Sequence, residues 1–226
     1  MSTLLTTDGK VASGVLIDHS ALENLFSPRE VAPFTPPPTG IDNLGITSTD
    51  RFFIPQMGEF IVDFTGYVRV ARSKPTAADW VNAEVYTNLI ELLMIGKAEG
   101  IGEILVTLNP EYLSTGMLRT PFESMCEQQP EKACRMAVGA IFTVPKLGLK
   151  LYNKEPIELT IDQVRAIPPS GNPGVGRIYR MLPLFRTDSA SVGQPPAAYL
   201  TSLNFAMGTY LTPAELTRLR GLGLDS

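Results

Sequence analysis

Residues 59–110 read EFIVDFTGYVRVARSKPTAADWVNAEVYTNLIELLMIGKAEGIGEILVTLNP, and this stretch carries the clearest strand patterns in the chain. Apolar side chains occupy every second position between Glu59 and Ala71, at Phe60, Val62, Phe64, Val68 and Val70. A period of two, rich in β-branched and aromatic residues, is typical of a strand with one buried face. Gly66 interrupts that face, which predicts a bulge or a close approach of another backbone.

The segment that follows, residues 79–95, fits two interpretations. Its polar side chains recur at helical spacing, at Glu84, Thr87, Asn88 and Glu91. Its β-branched and aromatic content, and the alternation from Ala83 to Leu89, favour a strand. We predict a long strand that turns through residues 96–102 into another strand at residues 103–108, and a helix remains the alternative.

Composition limits the classes of protein that this chain can represent. It has 226 residues, a net charge of −4, and 19 prolines and 19 glycines. This length is enough to bury a full hydrophobic core, and abundant turn-forming residues favour β architecture. The absence of a basic stripe argues against a nucleic acid partner. We find no secretory signal and no apolar run long enough for a membrane helix, so we expect a cytoplasmic protein without a membrane span.

The chain divides into an irregular N-terminal arm, residues 1–50, and a single β domain, residues 51–226. The arm contains a short helical pattern at residues 15–26 and a stiff, proline-rich connector at residues 33–38. Within the domain, roughly eight to ten strands separated by turn signals predict an antiparallel β-sandwich or a closed antiparallel barrel. The expected fold is therefore mainly β.

The second half of the domain contains further strand patterns and one helix. Alternating or apolar segments lie at residues 134–144, 147–151, 157–167, 177–184 and 199–207. Residues 111–130 carry few strand signals, and we predict a long loop there. Thr212, Pro213 and Glu215 form a capping box that begins a short C-terminal helix, and Gly221 is expected to end it.

Residues that usually bind metals or cofactors are scarce. His19 is the only histidine, which argues against a histidine base or a catalytic triad. Cys126 and Cys134 are interpreted as free thiols, with a disulfide as the alternative, and they are too few for a zinc site. The glycine-rich residues 171–177 lack the strand-to-helix context of a phosphate loop and are predicted as a β-turn. We expect no metal and no cofactor.

Carboxylates are then the remaining candidates for general acid–base chemistry. If the sheet closes with its polar face inward, three carboxylates and two tyrosines are candidate catalytic residues: Asp63, Glu84, Glu91, Tyr67 and Tyr86. The alternative is a solvated outer face with cross-strand charge pairs such as Arg69 with Glu84. The sequence alone does not decide whether the protein is an enzyme.

Two functions from different classes follow. The first is a non-catalytic binding or assembly module that meets a protein partner, or its own copies, through the N-terminal arm and the proline-rich loops. The second is a cofactor-free isomerase or cyclase with an apolar barrel cavity, in which carboxylates and tyrosines transfer protons. A small apolar ligand is a further candidate partner. A cavity that contains a buried carboxylate with a shifted pKa would favour the second function, and an exposed apolar patch would favour the first.

Overall fold

The computed structural model describes residues 39–74, 77–78, 83–119, 134–161, 175–177, 181–188 and 193–222. All of them belong to the compact unit formed by residues 34–226. The strands are β1 Gly40–Ile54, β2 Gly58–Arg72, β3 Ala77–Ala78, β4 Ala83–Ala98, β5 Gly102–Leu108, β6 Thr115–Arg119, β7 Cys134–Val138, β8 Ala140–Val144, β9 Leu149–Asn153, β10 Ile157–Ile161, β11 Val175–Arg177, β12 Leu182–Arg186 and β13 Ala198–Tyr210. A short 3₁₀ helix spans Pro145–Leu147, and α1 spans Pro213–Leu222.

The described strands form one antiparallel sheet that closes on itself. The hydrogen-bonded order runs β4, β2, β1, β13, β12, β9, β8 and β5, and β5 pairs again with β4. Closure of this kind leaves no free edge within the ring. The mainly β, antiparallel, barrel-like fold predicted from the sequence is confirmed, together with its short C-terminal helix.

A second set of strands extends the sheet beside this ring. One edge of β4 pairs with β6 over residues 84–88 and with β5 over residues 93–98. β6 then pairs with β7, and β7 with β10. The sheet therefore divides into two branches on this side, one through β5, β8 and β9 and the other through β6, β7 and β10.

Polar side chains satisfy the backbone where the two branches separate at Gly139. The buried Asn153 side chain accepts a hydrogen bond from Ala140 N at 2.7 Å and donates to Val138 O at 2.9 Å. Gly139 N donates to Ser114 Oγ at 3.0 Å. Backbone groups that leave the ladder in a protein interior need such partners, so Asn153 and Ser114 stabilise the branch point.

The interior face follows the period-two pattern predicted for β2. Val62, Phe64, Val68 and Val70 are buried and belong to the main core cluster. Gly66 lies on the same face, where an added Cβ would come within 1.9 Å of Leu93 O on β4. The predicted close approach of another backbone at Gly66 is thus confirmed, and no larger residue fits there.

Three other predictions about elements are decided by the described strands. Residues 83–98 form strand β4, so the strand interpretation of residues 79–95 is confirmed over 83–95 and the helix alternative is wrong there. The strand continues through residues 96–98, which were predicted to lie in the turn. β6 lies inside residues 111–130, which the sequence analysis had predicted as one long loop. The single strand predicted for residues 134–144 is interrupted at Gly139, because β7 and β8 follow different branches.

The boundary of the N-terminal arm also needs correction. Residues 40–50 belong to β1, which pairs along its whole length with β2 and is fully part of the sheet. Polar residues at alternate positions in this segment had hidden the strand pattern. The rest of the arm, with its predicted helix at residues 15–26, lies outside the described residues, as do His19 and Cys126, and those predictions stay predictions.

Candidate functional site

A cavity of about 50 Å³, partly open to solvent, lies between the strands of the branched sheet. Fourteen of its lining side chains are apolar: Ile46, Val68, Leu89, Leu92, Met94, Val106, Met136, Val138, Ala140, Phe142, Ile157, Leu159, Leu203 and Phe205. The other two are Ser48 and Asp50. The cavity is therefore an apolar chamber whose polar side chains all come from one strand.

Ser48 and Asp50 point inward because they occupy alternate positions of β1, on the same face as Ile46. Their exposed fractions are only 6% and 3%. Ser48 Oγ donates a hydrogen bond to Asp50 Oδ1. Across the two ladders, Asp50 lies opposite Val62 of β2 and Leu203 of β13, so its immediate cross-strand neighbours are apolar.

Burial raises the pKa of Asp50 to about 7, and the hydrogen bond from Ser48 offsets a part of that rise. Near neutral pH the side chain is consequently present both as a carboxylic acid and as a carboxylate. The acid can donate a hydrogen bond and the carboxylate can accept one. A group with a pKa close to the working pH is also suited to general acid–base chemistry.

Aromatic side chains pack beyond Asp50 on the same face of β1. Phe52 makes edge-to-face contacts with Phe64 at 6.1 Å and with Phe142 at 5.5 Å between ring centroids. Phe142 also lines the cavity, whereas Phe52 does not. Because edge-to-face packing fixes the relative positions of such rings, this cluster provides a rigid boundary next to the polar pair.

Two of the predicted site residues, Tyr67 and Glu91, lie together on the outer face of the sheet. Tyr67 Oη donates to Glu91 Oε1 at 2.5 Å, and Arg69 Nη1 donates to Glu91 Oε2 at 2.9 Å. Arg220 of α1 donates from Nε to Oε1 at 2.9 Å and from Nη2 to Oε2 at 2.5 Å. Glu91 thus joins β2, β4 and the C-terminal helix.

The same helix buries Tyr67 against the sheet. Tyr67 is only 2% exposed and packs in a small outer core with Leu93 and Leu216. The helix begins with the predicted capping box, in which Thr212 N donates to Glu215 Oε2 at 2.8 Å and Glu215 N donates to Thr212 Oγ1 at 3.3 Å. This cluster therefore fixes α1 to the outside of the barrel.

The pKa values of this cluster fit such a structural role. The Arg220 hydrogen bonds, helped by Tyr67 and Arg69, lower the pKa of Glu91 to about 2 against the effect of burial. Burial and the hydrogen bond to Glu91 raise the pKa of Tyr67 to about 12. At neutral pH Glu91 is ionised and Tyr67 is protonated, so neither is poised to exchange a proton.

The remaining predicted residues are not brought to this cluster or to the cavity lining. Asp63 is exposed on β2 and accepts a hydrogen bond from Thr49 Oγ1 at 2.6 Å. Glu84 is half-buried on β4, and Tyr86, two residues further on, is 51% exposed. Arg69 forms an ion pair with Glu91. The sequence analysis had suggested Glu84 as its cross-strand partner. These residues lie on the outer face, as the solvated alternative required.

Asp50 was missed because residues 1–50 had been assigned to the arm. The signal was present, since Leu44, Ile46, Phe52 and Ile54 keep a period of two across the segment. Ser48 and Asp50 occupy the two positions of the same face that lie between Ile46 and Phe52. A polar pair within the buried face of a strand is a stronger site signal than the polar residues of an outer face.

In the part of the chain that the structure covers, no group of three or more His, Cys, Asp or Glu side chains is placed to hold a metal ion. The described segments also contain no helix with the length and apolar character needed to cross a membrane.

Comparison with known proteins identifies a family and a similar solved structure. Residues 2–217 match a family described as "Family of unknown function (DUF6073)". The structure of DynF from the dynemicin biosynthesis pathway of Micromonospora chersina is similar, with 57% sequence identity and a TM-score of 0.71. The similarity covers 83% of this chain and 89% of DynF. No curated protein matches the sequence.

Proposed function

We propose that this chain, which belongs to the Family of unknown function (DUF6073), binds a small and mostly apolar molecule in the cavity of its barrel. The observation that carries the proposal is the buried carboxylate of Asp50 in a chamber otherwise lined by apolar side chains and one serine. Chambers of this kind, apolar with a few placed polar groups, are the usual form of small-molecule sites.

Asp50 is costly to keep in this position. A buried carboxyl group without a charged partner destabilises a folded protein, and an apolar side chain at position 50 would fill the same space at no such cost. The lining residues include no Lys or Arg that could pair with it. Ser48 is the one hydrogen-bond partner named above, and a polar group of a bound ligand would add a second.

A hydroxyl group is the ligand group that fits best. The acid form of Asp50 needs an acceptor, the carboxylate form needs a donor, and a hydroxyl can be either. A carbonyl would complement only the acid, and an ammonium group only the carboxylate. We therefore expect an apolar ligand with a hydroxyl group, held by Asp50 beside Ser48.

The similarity to DynF supports a small-molecule role. DynF comes from a biosynthesis pathway, and it shares 57% of its aligned residues with this chain. A cavity for a pathway molecule accords with that context. The similarity carries no information about which molecule this chain binds.

The second candidate function is that of a cofactor-free isomerase or cyclase. The pKa of Asp50, about 7, favours it, since such a group can take a proton from one atom of a bound molecule and return it to another. The catalytic group would then be Asp50, with Ser48 as a positioning residue. Asp63, Glu84, Glu91, Tyr67 and Tyr86 have no contact with this cavity that would support the same role.

The role of a binding or assembly module remains a further proposal. It rests on the N-terminal arm and on proline-rich loops, most of which lie outside the described residues. Leu113 and Ile61, two of the exposed apolar side chains of the described surface, lie in a loop and on β2 respectively. The cavity therefore supports a more specific proposal.

Binding of N-phenyl-1-naphthylamine, a neutral dye that fluoresces in apolar sites, tests the proposal. We expect saturable binding to the wild-type protein and its loss in Ala140→Leu, because the larger side chain fills the cavity from β8. Ala214→Leu is the matched control, since Ala214 is exposed on α1. Absence of saturable binding to a folded wild-type protein, or equal binding by both variants, would refute the proposed cavity site.

A further inference from the structure

The wall of the cavity opposite the polar pair belongs to β8. In the ring of eight strands, three strands separate β8 from β1 in either direction, so the two strands lie opposite each other. Phe142 of β8 contacts Phe52 of β1 across the interior, with 5.5 Å between ring centroids. Two residues further along the same faces, Ala140 and Asp50 both line the cavity. The space for a ligand therefore lies next to this ring contact, between the walls that carry Asp50 and Ala140.

The wall around β8 is interrupted at the same level in three neighbouring strands. Gly139 separates β7 from β8, residues 109–114 separate β5 from β6, and residues 154–156 separate β9 from β10. β5 and β9 pair with β8, whereas β6 and β10 pair with β7. The two branches of the sheet therefore meet along one line, which we call the crease.

Two buried side chains hold the backbone at the crease. Asn153 accepts a hydrogen bond from Ala140 N at 2.7 Å and donates one to Val138 O at 2.9 Å. On the opposite edge of the same segment, Ser114 Oγ accepts a hydrogen bond from Gly139 N at 3.0 Å. Val138 and Ala140 line the cavity, whereas Asn153 and Ser114 do not. The two polar side chains thus position lining residues through the backbone.

A single amide fixes one edge of this part of the wall. Within a regular ladder, each strand is held by a series of backbone hydrogen bonds to its neighbour. At the crease the Asn153 side chain provides such bonds instead, at the two residues that flank Gly139. Because protein interiors are closely packed, a shift of Val138 and Ala140 changes the room that is left for a bound molecule.

From this arrangement we infer that Asn153 determines the specificity of the cavity: by fixing Val138 and Ala140 opposite Asp50, it limits the thickness of the apolar body that a hydroxyl-bearing ligand places between the two walls. Flat ligands are therefore favoured over globular ones. Asn153 is a positioning residue, since it acts through the backbone of its neighbours. This inference rests on the proposed function, because it concerns the ligand of the same cavity.

Competition with bound N-phenyl-1-naphthylamine tests this inference. The competitors are 1-naphthol, which is flat, and 1-adamantanol, which is globular and has the same number of carbon atoms and one hydroxyl group. We expect the affinity of 1-naphthol relative to 1-adamantanol to fall by about fivefold in Asn153→Ala, because the wall then yields to the thicker molecule. Ile104→Ala is the control, since Ile104 is a buried core residue that does not line the cavity. It should lower the free energy of unfolding, as measured in urea, and keep the affinity ratio of the wild-type protein.

An affinity ratio in Asn153→Ala that is unchanged or shifted towards 1-naphthol would overturn the inference while leaving the proposed cavity site intact. An equal fall in Ile104→Ala would also overturn it, because general loosening of the core would then explain the effect. Failure of the wild-type protein to bind both the dye and 1-naphthol would instead reject the proposed function. If Asn153→Ala does not fold, Ser114→Ala removes the other side-chain contact at the crease and should lower the ratio in the same direction.

Discussion

Asp50 and Leu203 face each other across the β1–β13 ladder, so the buried carboxyl group lies beside one of the apolar side chains that line the cavity. Each of the two residues contributes to one half of the proposal. Leu203, with its neighbours, provides an apolar wall, and Asp50 provides the hydrogen-bonding group beside it.

The first prediction concerns Asp50 and pH. Its pKa is raised from 3.8 to about 7 on folding, so between these values the folded protein keeps a proton that the unfolded chain releases. The free energy of unfolding should therefore fall as pH rises through this window, by up to about 4 kcal/mol for this group. Asp50→Asn should be the more stable protein at pH 8 and should lack this part of the pH dependence.

Urea unfolding of the wild-type protein and of Asp50→Asn between pH 4 and pH 8 measures the difference in their free energies of unfolding. This range covers the interval between the two pKa values of Asp50 almost completely. Other titrating groups affect the wild-type protein and Asp50→Asn alike, so only the difference between their curves reports on Asp50. Parallel curves across this range would mean that Asp50 does not hold its proton in the folded state.

The second prediction concerns the outer cluster around Glu91. Glu91→Gln removes the charge that holds Tyr67, Arg69 and Arg220, and we expect a loss of about 1–3 kcal/mol in the free energy of unfolding. Release of α1 should also make Arg218 and Arg220 more accessible to trypsin. Glu103→Gln, at an exposed position of β5, is the control and should behave like the wild-type protein.

The same cluster has a pH signature opposite to that of Asp50. The pKa of Glu91 is lowered from 4.5 to about 2, so its contribution to stability is complete above 4.5 and is lost as pH falls towards 2. Tryptic digestion at pH 7, with urea unfolding at pH 7 and pH 3, checks both statements. If α1 were cleaved at the same rate in Glu91→Gln and in the wild-type protein, Glu91 would not be what holds the helix.

The third prediction concerns the branch point of the sheet. Asn153→Ala leaves the backbone groups of Ala140 and Val138 without their side-chain partner in a buried place. We expect a loss of about 2–4 kcal/mol, because each unsatisfied buried group costs about 1–3 kcal/mol. Lys154→Ala, one residue further along and exposed, is the control for urea unfolding. If Asn153→Ala lost less free energy of unfolding than Lys154→Ala, water would be replacing the Asn153 amide without cost.

Sequence patterns predicted the parts of this fold that depend on local alternation. The inward face of β2 and the strand at residues 83–95 follow from the period of two, and the capping box at Thr212 marks the start of α1. These features are encoded by neighbouring residues, so no tertiary information was needed. The break at Gly139 could not be predicted, because it results from two branches that diverge in space.

The site was harder to predict for two physical reasons. Tyr67 lies on the outer face of the sheet, as its sequence position indicated. It is nevertheless buried, because α1, which is distant in sequence, covers it. Asp50 and Ser48 interrupt the apolar pattern on the buried face of β1. This interruption made β1 resemble an irregular arm. The feature that best marks a functional site was therefore the one that concealed its strand.

The most direct test of the central claim compares 1-naphthol with naphthalene as competitors of the bound dye. The two molecules differ by one hydroxyl group, so the ratio of their affinities isolates its contact with the protein. We expect this ratio to fall by about three- to tenfold in Asp50→Leu and to be largely kept in Asp50→Asn. An identical ratio in the wild-type protein and in Asp50→Leu would contradict the claim that Asp50 holds the polar group of a ligand in this cavity.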